Sequence, residues 1–252
     1  MKTMIEGKNI YKSFGIGQEK VSVLQDVSLQ IEQGEFVTIM GASGSGKSTL
    51  LYSISGMDTV DEGEIMFKDQ QLQQMNEQEL ADLRRKNMGF IFQQPTLLKN
   101  LSLLDNIVLP SLKDSKQGIA ELEKQAETLM GKVDIAELKD RKINQVSGGQ
   151  LQRAGICRAL MSHPDVLFGD EPTGALNSKA AQEIMDILSM INEEGTTIVV
   201  VTHDAKIAAQ SERILMMENG QIIEELFLGT YTGSHLEKRI EAINQRMLAI
   251  EI

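Results

Sequence analysis

One cysteine in 252 residues leaves no intramolecular disulfide to build. Cys157 alone fits a reducing cytosol. Long apolar runs are missing too: no stretch of about 18 apolar residues occurs, which excludes a membrane-crossing helix. Residues Met1 to Gly7 lack the apolar h-region of a secretory signal. Positive charge is short, with 25 Lys and Arg against 36 Asp and Glu and a net charge of −11. That balance argues against a protein whose main work is gripping nucleic-acid phosphates, so no nucleic-acid partner is expected. Arg84-Arg85-Lys86 is a short basic cluster of the kind that solvated faces carry. Internal repeats and low-complexity segments are absent. What is present is ordinary globular composition, 41% hydrophobic and 24% charged, at a length that suits one large domain or two small lobes. The 14 methionines read as adaptable core filler.

The most informative segment is Gly41-Ala42-Ser43-Gly44-Ser45-Gly46-Lys47-Ser48-Thr49, a G-x-x-x-x-G-K-[ST] phosphate loop. Its glycines let the backbone curl so that N–H groups point at phosphate oxygens, and the helix that follows adds its positive dipole end. Lys47 is expected to reach the β- and γ-phosphates, and the Ser48 hydroxyl to ligate Mg²⁺. The flanks agree: Phe36 to Met40 reads as a buried strand, and Leu50 to Ser55 continues a helix.

The rest of the chain divides by pattern. Residues 1 to about 35 read as half-buried antiparallel strands, from the alternation of Val21 and Val23 and of Val27, Leu29 and Ile31. Ile65 to Phe67 and Met88 to Phe92 are further strands, with a helix over 77–86 between them. From Gln93 to about residue 163 the spacing turns helical, with Pro110 as a break, which marks a helical insertion. Val166 to Phe168 and the β-branched run Thr197 to Val201 are buried strands around an amphipathic helix over 178–192. Asn219-Gly220 signals a hairpin. Alternation of this kind predicts an α/β fold with a largely parallel sheet. Gly229 to Gly233 reads as a linker, and Leu236, Ile240, Ile243 and Met247 share one face of a last helix, with Ser234 or the preceding loop as its cap. The boundaries are then 1–228 for the main domain, with its helical lobe over about 93–163, and 229–252 for the linker and C-terminal helix.

Three further groups complete the chemistry. Asp170 and Glu171 end a buried strand, so one carboxylate suits the metal and the next can polarise an attacking water. His203, at the end of another strand, is placed to contact the γ-phosphate or to orient water and Glu171. Ser147-Gly148-Gly149-Gln150 precedes a helix and offers either an ordinary N-cap or a second anion site. One nucleotide cannot use two separated helix N-termini on one γ-phosphate unless two chains face each other. The pair of sites therefore predicts a head-to-tail homodimer with two ATP molecules at its seam.

Taken in order, Gly41 to Thr49, Gln93, Val146 to Gln150, Asp170-Glu171 and His203 resemble the ATP-binding cassette (ABC) ATPases, over residues 4 to about 225. The resemblance implies a P-loop NTPase with a RecA-like core, an antiparallel β lobe and a helical lobe, using ATP and Mg²⁺. It implies that Tyr11 stacks on adenine, Gln93 contacts Mg²⁺ or water, and Ser147, Gly149 and Gln150 meet the opposite chain's ATP. By the same resemblance Glu171 is the general base and His203 holds the γ-phosphate. The segment Gln93 to Leu98, with Asn106 to Pro110, is similar to macrolide-exporter, lipoprotein-release and cell-division cassettes. Pro172 to Ser178 is similar to bacitracin and antimicrobial-peptide resistance transporters, except that Asn177 stands where those proteins usually have Asp. The function implied is the ATPase of a peptide-resistance exporter, peripheral at the cytoplasmic face of the plasma membrane, driving a separate permease docked near Gln93 to Pro110. A second reading is a regulatory or mechanical cassette that controls a membrane partner without transport. A soluble translation or repair cassette fits poorly, since the chain has no second cassette and no long heptad insertion.

Overall fold

The computed structural model describes residues 2–15, 17–113 and 118–250. Two sheets organise it. The six-stranded sheet runs in the order β10-β9-β3-β8-β7-β6, built from β3 (Phe36–Gly41), β6 (Met88–Phe92), β7 (Val166–Asp170), β8 (Thr197–Thr202), β9 (Arg213–Glu218) and β10 (Gln221–Phe227). The first five named are parallel, and β10 turns back antiparallel through Asn219 and Gly220, both at positive φ as a tight hairpin requires. The second sheet, β2-β1-β4-β5, is antiparallel, from β1 (Thr3–Phe14), β2 (Val21–Glu32), β4 (Glu62–Phe67) and β5 (Gln70–Gln71).

Successive side chains of a strand face opposite ways, and the core divides accordingly. Val37 and Ile39 of β3 join Val199 and Val201 of β8 in one apolar cluster, shared with the small sheet, with α1 (Lys47–Ile54) and with α2 (Glu77–Asn87). Phe36, Ile198 and Val200 face the other way, into a cluster with α3 (Leu103–Val108), α4 (Ile119–Lys132), α5 (Gly148–Leu160) and α6 (Ser178–Glu193). Helices α3 to α5 fall within the stretch 93–163, and Pro110 follows α3 in a short 3₁₀ turn.

Two details of the β lobe differ from the sequence pattern. Val27, Leu29 and Ile31 are buried as alternation predicts, but Val21 is 63% exposed and Leu24, not Val23, points inward. Asp26 at φ 54° and register shifts along β1–β2 reset the phase there. The last helix, α8 (Leu236–Ala249), packs on its own chain. Its residues Leu236, Ile240, Ile243 and Met247 cover Met40, Ile214 and Met216, together with Ala208 of α7 (Ala205–Ala208). Arg239 fixes it by donating to the carbonyls of Ala209, Leu228, Ser211 and Gly229. His235 at φ 59° precedes α8 and no side chain caps it, so Ser234 has no capping role.

Candidate functional site

The parallel strands end on one edge, where open α/β sheets bind their ligands. β3 leads into the phosphate loop, β8 into His203, and β7 ends at Asp170 with Glu171 next. The strand β8 lies between β3 and β7, so the phosphate loop and Asp170 are not on neighbouring strands. Helix α1 closes that gap: Ser48 Oγ donates to Asp170 Oδ1 at 2.8 Å.

The loop is shaped for a phosphate by sterics. A Cβ at Gly41 would lie 2.1 Å from the Met217 carbonyl oxygen, and one at Gly46 would lie 2.8 Å from that of Val23. Gly44 and Gly46 also stand at φ 82° and 100°, open only to glycine at low cost. Lys47 Nζ curls back to donate to the Ala42 carbonyl at 2.7 Å, the contact that a phosphate oxygen would replace. Burial lowers the Lys47 pKa, and the carboxylates of Glu171 and Asp170 oppose that shift. A cavity of about 670 Å³ opens over the loop, lined by Ser43, Gly44, Gly46, Lys47, Ser48 and Thr49. Ser45 is buried below it, under Gly41.

Glu171 and His203 line the same cavity. His203 Nδ1 lies 2.9 Å from Glu171 Oε1. Glu171 holds φ 47°, strained for a residue with a Cβ, and its N–H donates to the Val201 carbonyl at 3.0 Å. Gln93 follows β6, whose Phe92 pairs with Asp170. Gln93 and Glu171 converge over Gly174: a Cβ there would lie 2.8 Å from Gln93 Nε2 and 2.9 Å from Glu171 Oε2. The donor set fits a hard divalent cation, because the hydroxyl of Ser48, the carboxylate of Asp170 and the amide oxygen of Gln93 are all oxygen ligands.

One expected contact stands away from the loop. Tyr11, expected on adenine, lies on the β lobe among Asp26 and Glu62 and does not line the cavity. Phe14 lines the cavity instead, beside Val23, with Lys12 Nζ 5.1 Å from its ring centre. Two aromatics three residues apart take opposite faces of a regular strand, and the register shifts on both sides of Lys12 decide which one meets the site.

Ser147 to Gln150 sit apart, at a smaller cavity of about 220 Å³ shared with Leu176, Asn177 and Glu183. Ser147 Oγ accepts from the Gln150 N–H, and Gln150 Oε1 accepts from the Ser147 N–H, a capping box on α5. Gln152, fully buried, ties this helix to the first half of the site, donating to the carbonyls of Phe92 at 2.9 Å and Pro172 at 2.7 Å. Sequence reasoning passed over Gln152, Phe14 and Tyr52. Only Tyr52 carried a signal, as the residue four after Ser48 on the same helix face.

These features in one chain match a known assembly, and a sequence match to the family described as ABC transporter covers residues 24–174. The chain belongs to the ABC transporter family. It is 42% identical over 229 residues to the bacitracin export ATP-binding protein BceA of Halalkalibacterium halodurans, covering 90% of this chain and 89% of that one. It is 40% identical over 222 residues to the macrolide export ATP-binding/permease protein MacB of Pasteurella multocida, matching 88% of this chain but only 34% of that longer protein. Among solved structures, a dimeric post-hydrolysis state of the ATP-binding cassette MJ0796 bound to ADP and Pi superposes with a TM-score of 0.84 at 38% identity, covering 90% of this chain and 100% of that one. This ABC protein is therefore a P-loop ATPase that binds and hydrolyses ATP. No helix among the described residues is long and apolar enough to cross a membrane.

Proposed function

We propose that this ABC ATPase drives a separate membrane permease in resistance to antimicrobial peptides, working as a homodimer at the cytoplasmic face of the plasma membrane. The observation that carries the dimer is the split of the site into two cavities on one chain. In this reading each ATP lies between the phosphate loop of one chain and the Ser147 to Gln150 segment of the other. Phe14 stacks on the base, Lys47 neutralises the β- and γ-phosphates, and Ser48, Asp170 and Gln93 hold Mg²⁺. The cation, when bound, neutralises charge on the phosphates. Glu171 takes the proton of the attacking water and His203 fixes the Glu171 carboxylate. Ser147, Gly148, Gly149 and Gln150 supply neutral donors from across the seam. We take residues 1–228 as the ATPase unit, with its helical lobe over 93–163, and 229–252 as a segment docked on it.

The permease reading rests on a groove of about 910 Å³ between the lobes. Phe92 and Pro110, near the ends of the segment expected to dock, line it together with Met57, Arg84, Lys86 and Arg158. Leu98, Leu109 and Leu112 stand exposed close to it in sequence. An apolar floor with a cationic rim suits an acidic, apolar cytoplasmic segment of a membrane protein. The peptide class comes from the BceA relative. Replacing the chromosomal copy with Glu171→Gln is expected to sensitise cells to bacitracin-like peptides, and Met57→Asp to release the chain from membranes while the purified ATPase stays active. Unchanged peptide sensitivity in the hydrolysis-dead strain overturns the substrate class. Unchanged membrane attachment in Met57→Asp overturns the docking surface.

A further inference from the structure

Asp170 is gripped twice from one helix face. Ser48 and Tyr52 stand four residues apart on α1, and each gives its hydroxyl to a different oxygen of the same carboxylate: Ser48 Oγ to Oδ1 at 2.8 Å, and the Tyr52 hydroxyl to Oδ2 at 2.5 Å. Hydroxyl-to-carboxylate bonds of this length are charge-assisted and among the stronger hydrogen bonds. With a donor fixed on each oxygen, the carboxylate cannot rotate about its Cβ–Cγ bond without losing both. Ser48 keeps a lone pair for a cation while it donates. The Tyr52 ring packs on the apolar cluster beneath the small sheet, so the hydroxyl is delivered by a side chain that is itself held.

We propose that Tyr52 is a positioning residue that locks the Asp170 carboxylate in front of Ser48 and thereby sets the Mg²⁺ affinity of the phosphate-loop site. The proposal rests on the assignment of Mg²⁺ to Ser48, Asp170 and Gln93. Tyr52 is not among the residues lining the phosphate-loop cavity, and it acts through the geometry of Asp170. Partners that orient a metal ligand in this way affect affinity as strongly as some ligands do.

The test is Mg²⁺ titration of fluorescent ATP-analogue binding to the purified chain, wild type against Tyr52→Phe, with EDTA as the metal-free arm. Phe keeps the ring and its packing and removes only the hydroxyl. The Mg²⁺ concentration at half-effect is expected to rise about 10-fold, with affinity in EDTA unchanged and hydrolysis restored when Mg²⁺ is raised. A half-effect that moves less than about twofold overturns the proposal, as does a parallel loss of affinity in EDTA. So does hydrolysis that stays low at saturating Mg²⁺, or a lowered thermal midpoint with no Mg²⁺ shift, which would make the hydroxyl merely structural. A wild-type chain that binds the analogue without responding to Mg²⁺ refutes the cation assignment itself.

Discussion

The two halves of the proposed nucleotide site are built on different physics. The phosphate-loop half gathers charge: Lys47 and Glu171 line one cavity, Asp170 lies behind Ser48, and His203 is bonded to Glu171. The Ser147 half has no charge in its capping box, and its nearest ions, Arg153 and Glu183, are spent on each other at 2.6 Å. The first half can hold a nucleotide and activate water. The second offers only N–H and hydroxyl donors at a helix N-terminus, which suit a phosphate already bound elsewhere. In the proposed dimer, that asymmetry leaves each chain, carrying both halves, incomplete alone. Gln152, donating to the carbonyls of Phe92 and Pro172, ties the Ser147 helix to the backbone beside Gln93 and Glu171.

The comparison breaks most visibly at Glu171. Glu171→Gln keeps the shape of the pocket and removes the base, so hydrolysis is expected to fall about 10²- to 10⁴-fold while ATP still binds. Phosphate release and gel filtration with ATP read both effects, and ATP-bound dimers accumulate. Normal turnover in that variant removes Glu171 from the mechanism.

Next in size is the division of labour between chains. Lys47→Ala removes the cation of the first half and Ser147→Arg blocks the second, and each homodimer is expected to be inactive. Mixed, the heterodimer regains one complete site, so an equal mixture is expected to recover up to about a quarter of wild-type hydrolysis under random pairing. A mixture no more active than its parents overturns the shared site.

Much of the fold, and the position of these segments in it, was legible in the sequence, and the reason is locality. The phosphate loop, Asp170-Glu171, His203 and the Ser147 segment each lie within a few residues of a strand end or helix start. What was not legible depends on register or on distant packing. Nothing within β1 says that Phe14 rather than Tyr11 faces the site, because irregular pairing with β2 decides it. The failed alternation at Val21 and Val23 has the same cause. The insertion of β8 between β3 and β7, and the docking of α8 on β9 and α7, arise from long-range contacts that no local pattern encodes.

Phe14 and Tyr11 therefore make the next comparison. Base stacking on an aromatic ring contributes about 1–3 kcal/mol by alanine substitution, so Phe14→Ala is expected to weaken ATP binding roughly 5- to 150-fold. Tyr11→Ala, away from the cavity, is expected to leave it unchanged. Equilibrium binding of ATP against its base-free analogue, triphosphate, checks both: only the ATP affinity should respond. A larger effect from Tyr11→Ala overturns the placement of Phe14 on the base.

The smallest effect concerns Asn177, on the Ser147 side. Its Oδ1 caps α6 by accepting from the Ala180 N–H at 3.0 Å, and its side chain lies at the same small cavity as Gly148 and Gly149. Asn177→Ala loses that cap and is expected to cost about 1 kcal/mol in urea unfolding. Asn177→Asp keeps an acceptor in the same place and adds a negative charge at a helix N-terminus, which is expected to stabilise the monomer by about 0.3–1 kcal/mol. The same charge enters a half-site that otherwise presents neutral donors to a phosphate. If the asymmetry between the halves is what the site depends on, Asn177→Asp alters turnover in dimers while the isolated chain gains stability. A variant that loses stability instead shows that the Asn177 amide, and not its acceptor oxygen, is what this position requires.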